Sequence, residues 1–266
     1  MSSLSVFTTM TNPDSRNDPW KESLNCYKSL ADDVVVVGDE WPYEFDWNIF
    51  NKIYQDGFNQ CRTDWVMRMD LDYFIHENDF IKIYESIKKY NDYPAIVLPQ
   101  YQFFTLDRYQ IKTKLCLLLN KKKFPKIKLD GGTDKMLATL DGKLLTYKNV
   151  PQIKVPIWQY DSMFRTKEII GEDRARFARA WFRTFGNYGN RGGDNPVIAF
   201  DAWFEMIKLR YKKHVLRKNI KKHPLFIKEK LDKLNQNQFG YNAFGLKDIT
   251  YFEYSQLFSE MRKKYF

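Results

Sequence analysis

The sequence lacks any apolar run long enough to cross a bilayer. Its best, Leu115-Cys116-Leu117-Leu118-Leu119, is far short of the roughly 18 residues that a spanning helix needs. The start, Met1-Ser2-Ser3-Leu4-Ser5, lacks the basic and apolar regions of a signal peptide, so the expectation is a soluble, cytoplasmic protein. Cysteine is scarce: Cys26, Cys61 and Cys116 are scattered without metal-ligand spacing and read as reduced thiols. His76, His214 and His223 form no spaced pair and read as surface residues. There is no phosphate loop either. Residues 186–196 are the most glycine-rich in the chain, but they carry no Walker lysine and follow no strand, so they read as a helix-to-helix connection. Internal repeats and low-complexity segments are also missing.

Aromatic residues are not missing, and at 17% they exclude a disordered chain and support a packed globule. Length suits one large domain or two lobes. The formal net charge of +10 implies an anionic partner: a nucleotide diphosphate, an anionic membrane surface or a nucleic acid.

Residues 4–9, with Val6, Phe7, Thr8 and Thr9, read as a first strand. Asp18 before Pro19 predicts a capped helix start, and Trp20, Leu24 and Tyr27 give it a buried face ending near Leu30. Residues 33–39 form a continuous apolar run closed by Asp39, the pattern of a strand covered on both faces. Strand, helix, strand in about forty residues is a βαβ unit. Asp46 starts a second helix through Phe50, Ile53, Tyr54, Gly57 and Phe58. A third spans about 79–90, and a further buried strand covers 93–99. Regularity then falls away. Residues 109–120 are apolar and basic, a hairpin is expected between Met136 and Tyr147, and a returning strand over 154–158. Thr166 opens a long helix with Ile170, Phe177, Trp181 and Phe185 facing inward and Arg176, Arg179 and Arg183 on another side. Helices over about 197–216, 225–235 and 251–264 complete the chain.

One stretch combines apolar residues with charge where charge is unusual. Trp65-Val66-Met67-Arg68-Met69 runs into Asp70-Leu71-Asp72. On a strand, alternate residues share a side, so the two acids would project together from its carboxyl end, where open α/β sheets bind ligands. Neighbouring carboxylates repel unless a cation lies between them. Oxygen-only ligands suit magnesium or manganese. The plain alternative is that Asp70 ends the strand and Asp72 caps a turn.

With Thr8-Thr9 ending the first strand, Asp39 the second and Asp70-Leu71-Asp72 (a DxD motif) the third, residues 1–104 resemble the nucleotide-sugar half of GT-A glycosyltransferases. The likeness is to the family-2-like bacterial and viral type, through Asp64-Trp65-Val66-Met67-Arg68-Met69-Asp70-Leu71-Asp72. Trp158-Gln159-Tyr160-Asp161 resembles the return segment before the acceptor-side helix, and residues 105–266 match only in outline as the acceptor half of one continuous domain. The resemblance implies an α/β, Rossmann-like mixed sheet flanked by helices, with a largely helical C-terminal part. It implies a metal-dependent transferase using a nucleotide-diphosphate sugar, with UDP-type favoured, on a glycan or lipid-linked acceptor. Asp72 would be the principal ligand of manganese or magnesium, and Asp70 would meet the ribose or the ion. Asp39 would accept from the base, and Thr8 and Thr9 would line the nucleotide pocket. Asp161 would be the catalytic base of an inverting reaction, with Glu168 and Asp173 behind it; retention is not excluded. Where related enzymes often place a histidine, this chain has Gln159, so Arg165 and Lys167 are expected to contact phosphate instead.

Two alternatives stand beside this reading. Nucleic acid could be the acceptor, followed by Lys121-Lys122-Lys123, Lys126, Lys128, the Arg176, Arg179 and Arg183 face, and the lysines from Lys212 to Lys222. A non-catalytic nucleotide- or nucleic-acid-binding module would retain the fold without turnover.

Overall fold

The fold was taken from a computed structural model, which describes residues 2–39, 41–133, 135–217 and 222–249. The expected helix over 251–264 lies outside the described residues.

Strand β1 (Leu4–Thr9) is paired in parallel with β2 (Asp33–Val37) on one side and β3 (Trp65–Arg68) on the other. Parallel neighbours need crossovers, and α1 (Trp20–Leu30) and α2 (Trp47–Gln60) provide them. Alternation along β1 gives each helix a face to cover. Leu4 and Val6 pack in one cluster with Cys26, Tyr27 and Leu30 of α1. Phe7 packs in the other with Phe50, Tyr54 and Phe58 of α2.

Four further strands complete the main sheet: β4 (Tyr73–Phe74), β5 (Ala95–Thr105), β6 (Arg108–Leu119) and β10 (Ile157–Gln159). Its order is β2-β1-β3-β6-β5-β10-β4, with β11 (Leu216–Arg217) pairing β6 off that path. The result is a mixed, Rossmann-like α/β sheet flanked by helices. A small second sheet contains β7 (Lys128–Gly131), β8 (Leu137–Leu140) and β9 (Lys143–Leu144). Asp141 and Gly142, at φ 48 and 74, join β8 to β9. That is the doubly positive turn for which Asp-Gly is suited.

The remaining helices are α3 (Phe80–Lys89), α4 (Lys167–Phe185), α5 (Pro196–His214), and the short α6 (Lys228–Asp232) and α7 (Phe239–Asn242). Residues 186–195 do connect two helices, and Asn195 caps α5 by accepting from Val197 and Ile198 N–H. No helix among the described residues is long and apolar enough to cross a membrane.

Several expectations are corrected. Residues 109–120, which looked irregular, belong to a long antiparallel hairpin of β5 and β6 in the middle of the sheet. Its outer half is exposed and its inner half buried, so no single period runs through it. Asp18 does not cap α1, because its carboxylate is paired with Arg165 and Arg16. Phe185 is exposed rather than inward, since α4 extends beyond the core at its end, whereas Arg176 is buried.

Close packing of α2 on β1 depends on Gly57. A Cβ there would lie 2.5 Å from Phe7 Cδ2 and 3.1 Å from Val37 Cγ2. Gly57→Ala is expected to destabilise the protein by about 1–3 kcal/mol through overpacking, despite alanine's better helix propensity. Urea denaturation measures this, and unchanged or increased stability would contradict it.

Candidate functional site

The chain leaves β3 at Met69 and re-enters the sheet as β4 at its far edge, so Asp70-Leu71-Asp72 forms the turn between them. The two acids therefore do not share a strand as alternation predicts. Tyr73 N–H closes the turn on Asp70 O at 2.9 Å. From beneath, the Tyr27 hydroxyl of α1 lies 2.6 Å from Asp70 O and 2.8 Å from Tyr73 O, and Ser23 Oγ donates to Leu71 O. From β10, Gln159 Nε2 donates to Asp72 Oδ2 at 3.0 Å, and Tyr160 N–H donates to Asp72 O at 2.9 Å. Held in this way, both carboxylates line one cavity of about 300 Å³.

Five aspartates line this cavity, and four of them have arginine partners. Asp18 pairs with Arg165 and Arg16, Asp173 with Arg165 at 2.8 Å and Arg16 at 3.2 Å, and Asp161 with Arg174 at 3.6 Å and Arg165 at 3.7 Å. Asp70 meets Arg68 Nη2 at 3.3 Å, and Tyr54 donates to its other oxygen. Asp72 alone has no ion pair among the described residues. Burial, together with Asp161 and Asp70, pushes its carboxyl up to about 7. Asp161 is the reverse case: burial opposes its ionisation, but Arg174, Arg165 and Lys112 outweigh it and hold the carboxyl well below the usual range. Ser162, which donates to Asp161 Oδ1, sits at φ 63 in the left-handed region that few non-glycine residues occupy.

The sheet under the cavity has a floor of amides. Gln110 donates to Gln102 at 2.7 Å, Gln102 to Asp161 at 3.2 Å, and Gln100 to the Tyr73 hydroxyl at 2.9 Å. Sequence reasoning missed these three. The signal was the polar alternation of Gln100 and Gln102 within an otherwise apolar strand. It also missed Arg16, Lys112 and Arg174 of the cavity wall. The lining also includes an aromatic wall, with Trp41 centred 4.1 Å from Phe50 and 6.1 Å from Tyr54. The Arg68 guanidinium lies over the Tyr54 ring at 4.7 Å.

Of the residues expected at the site, Thr9, Asp70, Asp72, Gln159, Asp161, Arg165 and Asp173 do line this cavity. Thr8 does not: alternation turns it away from Thr9, and its buried hydroxyl has no hydrogen-bond partner among the described residues. Asp39 is exposed just beyond β2, outside the cavity lining. Arg165 is not a free phosphate ligand, because three aspartates surround it. Lys167 lies over the Phe244 ring and, with Glu168, borders a separate cavity. His223 is not a surface residue. Its Nε2–H donates to Leu106 O at 2.6 Å, leaving Nδ1 to accept from the Tyr160 hydroxyl at 2.7 Å. The lysine run is also largely engaged. Lys121 donates to three carbonyls, Lys122 pairs with Asp64 and Lys123 with Asp92, while Arg179 and Arg183 both pair with Glu44. These five cations are therefore engaged within the protein rather than left for a nucleic acid.

No family model matches the chain, and no curated protein matches it. Among solved structures, the crystal structure of S. aureus TarS 1-349 aligns over 98% of this chain and 91% of that one, at 9% identity and a TM-score of 0.34. So loose a superposition carries no inference about chemistry, which rests on the cavity alone.

The buried Arg165 cluster is a test of how the cavity is held. Removing one partner leaves uncompensated buried charge, at roughly 3–5 kcal/mol, so Arg165→Met should lower stability by about that much. Asp173 is held below the ordinary carboxylate range: burial works against this, but Arg16, Arg165, Arg174 and Arg176 prevail. A depressed folded pKa contributes stability above the unfolded value and loses it as pH falls through the folded one. Asp173→Asn should therefore be less stable than wild type at pH 7, and the gap should narrow as pH drops below about 4. Denaturant titrations across pH would show a constant gap if the pairing contributed nothing.

Proposed function

We propose that this protein is a GT-A-type glycosyltransferase that moves a sugar from a nucleotide-diphosphate donor, UDP-type favoured, to an acceptor hydroxyl with the help of magnesium or manganese. The observation that carries this reading is Asp72: alone among the cavity's aspartates it is unpaired, beside a second carboxylate, at the carboxyl end of the parallel strands. An acid kept half-buried without a counter-ion, and near two others, suits a site completed by a cation.

Asp72 and Asp70 would hold the ion. The described residues contain no group of three or more Asp, Glu, His or Cys placed to bind a metal. Most ligands would therefore come from the donor's phosphate oxygens and water, an arrangement magnesium and manganese accept. When bound, the ion would neutralise the charge that grows on the departing diphosphate. The aromatic wall of Trp41, Phe50 and Tyr54 gives the base a flat apolar surface, and Thr9 stands beside it. Asp161, fixed by Gln102 and Ser162, would accept a hydrogen bond from the incoming hydroxyl and take its proton as the new bond forms. Its low proton affinity limits that contribution to the lower end of the general-base range, about 100-fold.

UDP with manganese should raise the melting temperature, by an amount equivalent to about 2.7 kcal/mol when the ligand is at 100 times its dissociation constant. Asp72→Asn should remove most of the gain. A set of nucleotides and nucleotide sugars that produces no shift, with or without manganese, would end the proposal.

A further inference from the structure

Residues 41–46 cross from β2 to α2 as an irregular strap, and two of its side chains, Trp41 and Phe45, line the cavity. They face α4, which contributes Asp173, Arg174 and Phe177 to the same lining. Polar contacts join strap to helix. Arg179 grips both oxygens of Glu44, with Nε at 3.0 and 3.1 Å and Nη2 at 2.6 Å, and Arg183 donates to the same carboxylate at 3.5 Å and to Phe45 O at 2.6 Å. The Tyr43 hydroxyl donates to Glu172 at 2.6 Å. The Arg176 guanidinium lies over the Tyr43 and Phe45 rings at 4.7 and 4.6 Å. Positions 172, 176, 179 and 183 follow helical spacing, so one stripe of α4 makes all of these contacts.

The strap's apolar contacts run the other way. Trp41 packs on Phe50 and Tyr54 of α2, and Phe45 on Trp47 and Phe50. Among the described residues, only one ring pair of the strap, Phe45 with Phe177 at 6.2 Å, crosses to α4. Water reaches the seam, since the Glu44 and Arg183 side chains are 39% and 49% exposed. A seam that is ionic across and apolar along one side can part while each side keeps its own core, which is the makeup of a low-cost local opening.

We infer that residues 41–46 are a gate on the cavity, held shut by Glu44 between Arg179 and Arg183, and that the cavity's ligand enters and leaves where the strap lifts from α4. This deepens the sugar-transfer reading by giving the nucleotide donor its way in beside Trp41, and it rests on that reading only for what the ligand is. Ion pairs with access to water are weak singly and screened by salt, so the gate opens more often as ionic strength rises.

A thiol placed in the cavity reports the opening without any ligand. In a Thr9→Cys protein, the labelling rate at residue 9 with neutral methyl methanethiosulfonate is followed by mass spectrometry, with the buried native Cys26 as internal control. Adding Glu44→Gln should speed labelling at residue 9 about fivefold, the scale of one partly exposed ion pair, and leave Cys26 unchanged. Sodium chloride at about 1 M should speed it in the parent and have little further effect beside Glu44→Gln. Arg179→Gln should match Glu44→Gln, and the two together should be no faster than either alone, because they break the same contact. An unchanged rate at residue 9 would overturn the gate, and so would a parallel rise at Cys26, which marks a general loosening of the fold. UDP with manganese should slow labelling at residue 9. No slowing, with the Glu44 effect intact, would refute the nucleotide and leave the gate standing.

Discussion

Charge compensation inside one cavity is the constraint on which this fold depends. Asp18, Asp161 and Asp173 come from the entry to α1, the end of β10 and the middle of α4, and Arg165 meets all three. Unpaired, any of these groups would carry a desolvation penalty of several kcal/mol. Their mutual pairing therefore fixes how α4 sits against the β1–β3 half. With every neighbouring acid already neutralised by an arginine, the remaining one, Asp72, stands out as the place where charge is left for something else.

The parts of this arrangement that were legible in the sequence are local. The D-x-D after an apolar stretch, the alternation along β1 and the apolar run of β2 each sit within a few residues, and each falls where the pattern puts it. Even there, the expectation of one strand running from Trp65 to end in Asp70-Leu71-Asp72 fails. The short segments on either side of the acids pair at different places in the sheet, and no local period records a change of partner. The acids still reach one cavity, because a turn pinned by Tyr27 and Gln159 does what strand alternation was expected to do.

What was not legible is what depends on partners far along the chain. Arg165 meets Asp18 across 147 positions, so in sequence it looked like a loose cation near a helix start, and Asp18 looked like a cap. His223 became a buried residue through Tyr160 and the Leu106 carbonyl, neither of them near it in sequence. Lys112 sat in a stretch whose mixture of apolar and basic residues suggested no period, because the strand changes from exposed to buried along its length.

Gln159 draws these strands together. A histidine was expected there from the resemblance, and a lysine or arginine would follow the pattern of the other aspartates in the cavity. Either cation would pair with Asp72 and cancel the charge that makes it useful. A neutral amide fixes the carboxylate's orientation with one hydrogen bond and leaves its charge uncancelled. Gln102, backed by Gln110, likewise orients Asp161, but there Arg174 and Arg165 supply the counter-charge that Asp72 lacks. Amides from the sheet orient Asp72 and Asp161, while arginines from β3, the loops and α4 pair with Asp18, Asp70, Asp161 and Asp173, and Asp72 alone of the five is held by an amide without a cation.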